Sequence, residues 1–265
     1  DRERSPPPGS PAMKNSTSRF SDRVDNYIKY RPGYPLEVLE HLKTNCGLTA
    51  DSLIADIGSG TGISSRLFLD HHNTVYGVEP NQEMRHAAEK LLQEYTHFHS
   101  IDATAEKTHL PADSFDFIIA GQAFHWFSQE LARQEFQRII HPNGWVVLIW
   151  NERQTDTTPF LIDYEQLLLE FATDYKQVNH TNLSREDFAR FFHPHQLHTA
   201  TLPSQQSFDL ESLTGRLLSS SYAPNIGQTG YREILERLQE IFHQHQVNGA
   251  VDFKYDTNLY YGHIR

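Results

Sequence analysis

Between residues 36 and 150 the apolar positions follow two alternating patterns. Short apolar runs at 53–57, 74–78, 97–101, 115–120 and 145–150 are bounded by glycines or polar residues and are too brief for helices, so they read as buried strands. Between them, 36–46, 63–70, 82–94 and 129–139 repeat apolar residues three and four apart, the spacing of a helix with one buried face. Pro35 suits the first turn of the first helix and Gly47 its end. Alternation of strand and helix at this size predicts a doubly wound α/β fold with a mostly parallel sheet covered on both faces.

Beyond residue 150 the periodicity weakens. Helical spacing recurs at 160–175, 210–220 and 231–245, and strand character at 197–208 and 251–264. The last two predict a hairpin joined through the two helices between them, completing a seven-stranded sheet with an antiparallel C-terminal edge strand. A chain of 265 residues can bury one core of this kind, so 13–265 is expected to be a single domain. Residues 1–12, with Pro6, Pro7, Pro8 and Pro11, read as a disordered, vector-derived leader ahead of Met13. The element 18–35 forms an entrance ahead of the sheet, and 155–250 includes the acceptor pocket and a lid.

Charge narrows the chemistry. A formal net charge of −11 with no run of Lys and Arg repels a phosphate backbone, so nucleic acid is excluded as the expected partner. The single cysteine, Cys46, can form no internal disulfide; it reads as a packing residue and suits a reducing cytoplasm. No apolar stretch is long enough to span a membrane. A monomer is the working expectation.

The most specific signal is Asp56-Ile57-Gly58-Ser59-Gly60-Thr61-Gly62, set between a predicted strand and a predicted helix. Glycines allow a tight turn and close approach of a ligand, and the helix that follows offers unpaired N–H groups. A dinucleotide site expects glycine where Ile63 stands, and Asp56 would repel a pyrophosphate. Asp56 suits a ligand carrying an ammonium group, or else caps the loop. Glu79 ends the second strand at the distance expected of a carboxylate that accepts both ribose hydroxyls. Tyr27 and Arg31 are four apart and share a helix face; Arg31 is open to binding a cofactor carboxylate or a substrate acid, or the aromatics around it simply clamp the segment down.

With these motifs the chain resembles the class I S-adenosylmethionine-dependent methyltransferases, in particular the type 11 subgroup. The resemblance runs from about Phe20 to Arg153 through the glycine loop, Val78-Glu79-Pro80-Asn81, Ala103-Thr104-Ala105-Glu106, Ser114-Phe115-Asp116 and Gly121-Gln122-Ala123-Phe124-His125-Trp126-Phe127. It implies S-adenosylmethionine as cofactor, S-adenosylhomocysteine as product, no metal, and a small-molecule acceptor methylated on carboxyl, hydroxyl or carbon. It further implies that Gly58 and Gly60 lie under the methionine part, Pro80 and Met84 border the adenine, Thr104 and Ala105 meet its edge, and Gln122 lies near the sulfonium. Met84 reads equally as helix core.

The entrance segment carrying Tyr34 resembles an N-terminal element of the subgroup and is expected, with Trp126, to line the substrate pocket. His125 is a candidate base for an acceptor that must lose a proton, or a loop hydrogen-bonding residue. The pairs His71/His72 and His193/His195 lack metal-ligand spacing and read as surface loops. Two other function classes stay open on sequence: a nicotinamide-dependent oxidoreductase and a non-catalytic cofactor-binding module.

Overall fold

A computed structural model of the chain describes residues 31–172, 175 and 183–265; the expectations for 1–12 and for Tyr27 lie outside them. The apolar runs become β1 (Leu53–Ile57), β2 (Thr74–Val78), β3 (Phe98–Ile101), β4 (Phe115–Gly121) and β5 (Ile140–Arg153), parallel in their pairings with one another. They join β6 (His198–Phe208) and β7 (Val251–Gly262) in one seven-stranded sheet of order β3-β2-β1-β4-β5-β7-β6. β7 runs antiparallel to both its neighbours. It therefore lies one strand in from the edge, with its hairpin partner β6 on the rim, so the expected antiparallel C-terminal hairpin closes that edge of the sheet. Burial explains the choice: β6 alternates half-buried and exposed residues until Phe208, whereas β7 buries every second side chain throughout.

The helices are α1 (Glu37–Cys46), α2 (Ile63–Asp70), α3 (Gln82–Leu91), α4 (Gln129–Ile139), α5 (Pro159–Phe171), α6 (Arg185–Phe192), α7 (Leu210–Leu218) and α8 (Tyr231–His245). One face of the sheet packs Ile54, Phe117, Ile119 and Val147 against α1 and α2 through Val38, Leu42 and Phe68. The other packs Ala55, Ile118, Val146 and Leu148 against α4 and α6 through Phe136, Ile139, Phe188 and Phe192. α6 went unpredicted because its eight residues follow a polar stretch; a Ser184–Asp187 capping box starts it, and three buried phenylalanines hold it down.

A third apolar cluster sits past the end of β5. The β5–β7 register closes at the Arg153–Tyr255 pair, while β6 and β7 continue pairing to Phe208–Val251. This overhanging ribbon carries α5, α7 and α8, which bury Leu161, Leu168, Leu213, Leu217 and Leu238 against Phe208 and Phe253. Phe253 meets the rings of Phe160, Tyr164 and Phe208 at 5.8, 4.8 and 4.9 Å. The result is a cap over the carboxyl end of the parallel strands, the edge at which α/β sheets bind ligands.

β5 also starts earlier than its apolar run suggests. Phe115 pairs with Ile140 but Phe117 with Trp145, so Pro142-Asn143-Gly144 forms a bulge within the strand rather than a turn before it. A Cβ on Gly144 would stand 2.4 Å from Ile140 Cγ1, which is why glycine occupies that place. Among the described residues no helix is long and apolar enough to cross a membrane.

Candidate functional site

β1 delivers its chain into the glycine loop at the centre of the carboxyl edge. Gly58, Gly60 and Gly62 take φ of 69°, 57° and 91°, a left-handed conformation that side chains disfavour. The loop is tied to β2, since the N–H groups of Gly58 and Ser59 donate to the Val78 carbonyl at 2.8 and 3.1 Å. A Cβ on Gly58 would lie 2.6 Å from that of Ala123, so the loop touches the segment after β4. On Gly60 the nearest atom to such a Cβ is Met84 Cε at 3.5 Å, which places the half-buried Met84 over the loop.

Two buried carboxylates flank this turn. Asp56 is fully shielded from solvent; its Oδ2 accepts the hydroxyls of Ser64 and Ser65, each at 2.6 Å, while Oδ1 has no partner. One oxygen thus caps α2, as the structural reading of Asp56 expects, while the other stays without a partner. Burial, helped by the charge of Glu79 and opposed by the serine hydroxyls, pushes its carboxyl up to about 6. Glu79 accepts the Gly60 N–H at Oε1 (2.9 Å) and the Asn81 N–H at Oε2 (2.8 Å). Burial raises its pKa against the pull of those N–H groups and of Arg85. An orphaned carboxylate oxygen beside a glycine cradle fits a ligand that brings an amino group and hydroxyls, and opposes one that brings a pyrophosphate.

The remaining cofactor candidates divide. Pro80 is exposed beside Glu79, and Thr104 is exposed and bridged to Lys107. Ala105, at 5% exposure, packs in the core shared with β4 and α4. Asp102 was missed: it is the first residue after β3, mostly exposed, and pairs with Arg85 at 3.1 Å. A lone aspartate after a weak strand carries no pattern; only its place on the ligand edge marks it.

At the end of β4, Gln122 adopts φ 52° and donates its N–H to the Ile149 carbonyl at 2.8 Å. The Tyr34 hydroxyl donates to Gln122 Oε1 at 3.4 Å, and a Cβ on Gly121 would strike that same hydroxyl at 2.6 Å. Asn151 reinforces the contact by donating to the Gly33 carbonyl at 3.3 Å. Gly33 and Tyr34 therefore dock where the glycine loop meets β4 and β5. Arg31 lies on the cap side of this junction, where its charge favours ionisation of Tyr255.

His125 occupies a short turn, Phe124–Trp126, with its ring 5.2 Å from that of Trp150 on β5. His125 Nδ1 and Trp150 Nε1 are both cut off from solvent and lack partners. Burial holds the imidazole pKa below its ordinary value, so the ring is neutral at pH 7 and able to accept a proton. Trp126, expected as part of the pocket wall, is 79% exposed, with its ring 4.6 Å from that of His125. Phe127 is the aromatic that reaches the glycine loop, 3.4 Å from where a Gly58 Cβ would stand.

Above β5, Arg153 donates to Glu165 at 2.6 Å and lies 4.9 Å over the Tyr164 ring, bringing a guanidinium into the base of the cap. Cys46 is half-buried and its thiol is pushed up to about 12 by burial, as befits a packing residue. Among the described residues no group of His, Cys, Asp and Glu could hold a metal.

Comparison with known proteins places this geometry. Residues 55–148 match the type 11 methyltransferase domain, a span that begins one residue before Asp56 and ends on β5. A methyltransferase-like protein of Schizosaccharomyces pombe is 28% identical over 156 residues, covering 58% of this chain and 59% of that one. A second S. pombe methyltransferase is 30% identical over 153 residues, 56% and 58% of the two chains. The chain thus spans under two thirds of the length of the relatives it matches. Among solved structures, one assigned as a type II methyltransferase from Anaeromyxobacter dehalogenans superposes with a TM-score of 0.66 at 19% identity, over 89% of this chain and 98% of that one.

Proposed function

We propose that this chain, a member of the class I S-adenosylmethionine-dependent methyltransferases, transfers a methyl group to a small-molecule acceptor held between the glycine loop and the cap. The observation that carries this reading is the pair of carboxylates, Asp56 with one unpartnered oxygen and Glu79 at the end of the neighbouring strand, around a loop that only glycines can form. When bound, the cofactor supplies an electrophilic methyl group on a sulfonium that is already a good leaving group.

The residues then have separate tasks. Asp56 Oδ1 would receive the ammonium group and Glu79 the ribose hydroxyls; Met84 and Pro80 would border the adenine, with Asp102 near them at the end of β3. Gly58 and Gly60 would lie under the methionine part, and Gln122, which accepts from the Tyr34 hydroxyl, would stand toward its methionine or sulfonium end. The protein's main contribution is alignment and exclusion of water, because no bond in the acceptor need be broken beyond the loss of a proton. The methyl transfer itself would be chemistry the cofactor supplies; this chain's residues would hold the acceptor in line with it and keep water out. Where the acceptor atom carries a proton, His125, neutral and with a buried unpartnered nitrogen, takes it. The net charge of −11 supports a small acceptor over nucleic acid.

Turnover with methyl-labelled S-adenosylmethionine over a panel of small acids, phenols and amines tests the reading. His125→Gln is expected to lower kcat by about 100-fold on a hydroxyl or carbon acceptor, with cofactor affinity unchanged. Cofactor binding with no transfer to any acceptor class would favour a regulatory module instead, and binding of a nicotinamide dinucleotide alone would favour an oxidoreductase.

A further inference from the structure

The cap holds a second buried guanidinium, set up differently from Arg153. Arg216 projects from α7 toward the hydroxyls of Tyr255, Tyr164 and Tyr222, which come from β7, α5 and the turn after α7. Its Nε is shut off from solvent and forms no hydrogen bond. Where Arg153 is neutralised by Glu165 at 2.6 Å, no carboxylate pairs with Arg216 among the described residues. The tyrosines do not replace one, because burial raises the pKa of both Tyr164 and Tyr255 and keeps them as neutral hydroxyls. An arginine that no described carboxylate neutralises, set in a low-polarity cluster, is an expensive arrangement that an anion would relieve.

The cluster also connects to the reacting end of the site. Tyr255 pairs with Arg153 across β5 and β7, and two residues along the same face Thr257 donates to Asn151 at 2.6 Å. Asn151 donates to the Gly33 carbonyl, and the adjacent Tyr34 reaches Gln122. A polar line of side chains therefore runs from Gln122, beside the cofactor loop, up the face of β5 and β7 into the cap.

We propose that Arg216 is the anchor for a carboxylate of the methyl acceptor, which makes the acceptor a small organic acid. This rests on the methyltransferase reading above. The guanidinium presents two parallel N–H groups to one carboxylate. One positive charge matches one carboxylate, whereas a phosphate dianion would bring surplus negative charge into a buried place. The rings of Tyr164, Tyr222 and Tyr255 offer aromatic walls to the body of the acid. Anchored at this end, the acid directs its other end along the line toward Gln122.

The test uses the full chain, with and without S-adenosylhomocysteine, titrated with acetate, benzoate and succinate, with benzamide as the uncharged counterpart and with inorganic phosphate, followed by ligand-observed NMR. Saturable millimolar binding of at least one carboxylate, none of benzamide, and loss of about tenfold or more in affinity in Arg216→Met are expected. Arg216→Lys should recover part of the affinity. S-adenosylmethionine affinity should be the same in parent and Arg216→Met, and the variant should melt at the parent temperature or above, because it no longer buries a charge that no described carboxylate neutralises. Carboxylate binding absent from the parent, unchanged in Arg216→Met, or weaker than that of phosphate would overturn the proposal. So would a lower melting temperature in Arg216→Met, which marks a structural arginine. Failure of the parent to bind S-adenosylmethionine would instead strike the methyltransferase reading, and the carboxylate titration without cofactor is scored separately.

Discussion

The sheet's carboxyl edge and the cap above it both bury charge, with opposite sign and different support. At the edge, Asp56 and Glu79 are held by serine hydroxyls and backbone N–H groups that the strand-turn-helix connections supply. In the cap, Arg153 and Arg216 are held by side chains from distant elements, Glu165 for one and tyrosines for the other. The difference separates two recognition tasks. Carboxylates at glycine-rich turns suit a cationic, hydroxylated ligand that many sequences can share, whereas arginines among aromatic rings suit an anion specific to this chain.

If the two regions are separate in this sense, damaging one should leave the other's ligand bound. Phe253→Ala removes the ring at the centre of the cap cluster and should cost about 3–5 kcal/mol of stability by calorimetry. Measured below the new melting temperature, S-adenosylmethionine affinity should be retained; its loss would show that the cap and the glycine loop are one unit.

Asp56 gives a smaller effect with a pH signature. Its folded pKa of about 6 exceeds the ordinary 3.8, so the unfolded chain gives up this proton first. The buried carboxyl therefore costs stability as pH rises from about 4, with the full cost above 6. Asp56→Asn should be more stable than the parent by about 1–2 kcal/mol at pH 8, a gain that fades toward pH 4, while binding the cofactor less tightly. In the parent at pH 6, cofactor binding should release protons, detectable by calorimetry in buffers of different ionisation enthalpy.

Glu135 supplies the opposite sign and the smallest change. It accepts the Thr108 N–H and hydroxyl, each at 2.7 Å, and is bridged to Arg138; against the upward push of burial, these bring its carboxyl down to about 2. A depressed pKa stabilises above the unfolded value near 4.5 and is lost as pH falls toward 2. Glu135→Gln should therefore lose about 1 kcal/mol at pH 7 and nothing near pH 2, with cofactor binding unaltered.

What the sequence made legible follows the same division. The glycine loop, Glu79 and the five parallel strands depend on neighbours within one strand-turn-helix unit, so local spacing exposes them. β7's place inside the edge depends on pairing across about a hundred residues, which no local pattern records. Arg216 was invisible for that reason: its partners come from α5 and β7, and in the sequence it is one cation on a short amphipathic helix. Between Trp126 and Phe127 the sequence does not distinguish; the packing of Phe127 against the glycine loop and the exposure of Trp126 show which ring turns inward. The half-buried His125, with its unpartnered nitrogen, kept its candidacy on geometry rather than on residue type.

The central claim concerns the carboxylates at the ends of β1 and β2, and calorimetric titration with S-adenosylmethionine tests it most directly. The account predicts saturable one-to-one binding to the parent chain and an affinity about 10- to 100-fold weaker in Glu79→Ala, since that change removes a charge-assisted acceptor of hydroxyl groups and frees the Gly60 N–H. No binding to the parent, or undiminished binding in Glu79→Ala, would contradict it.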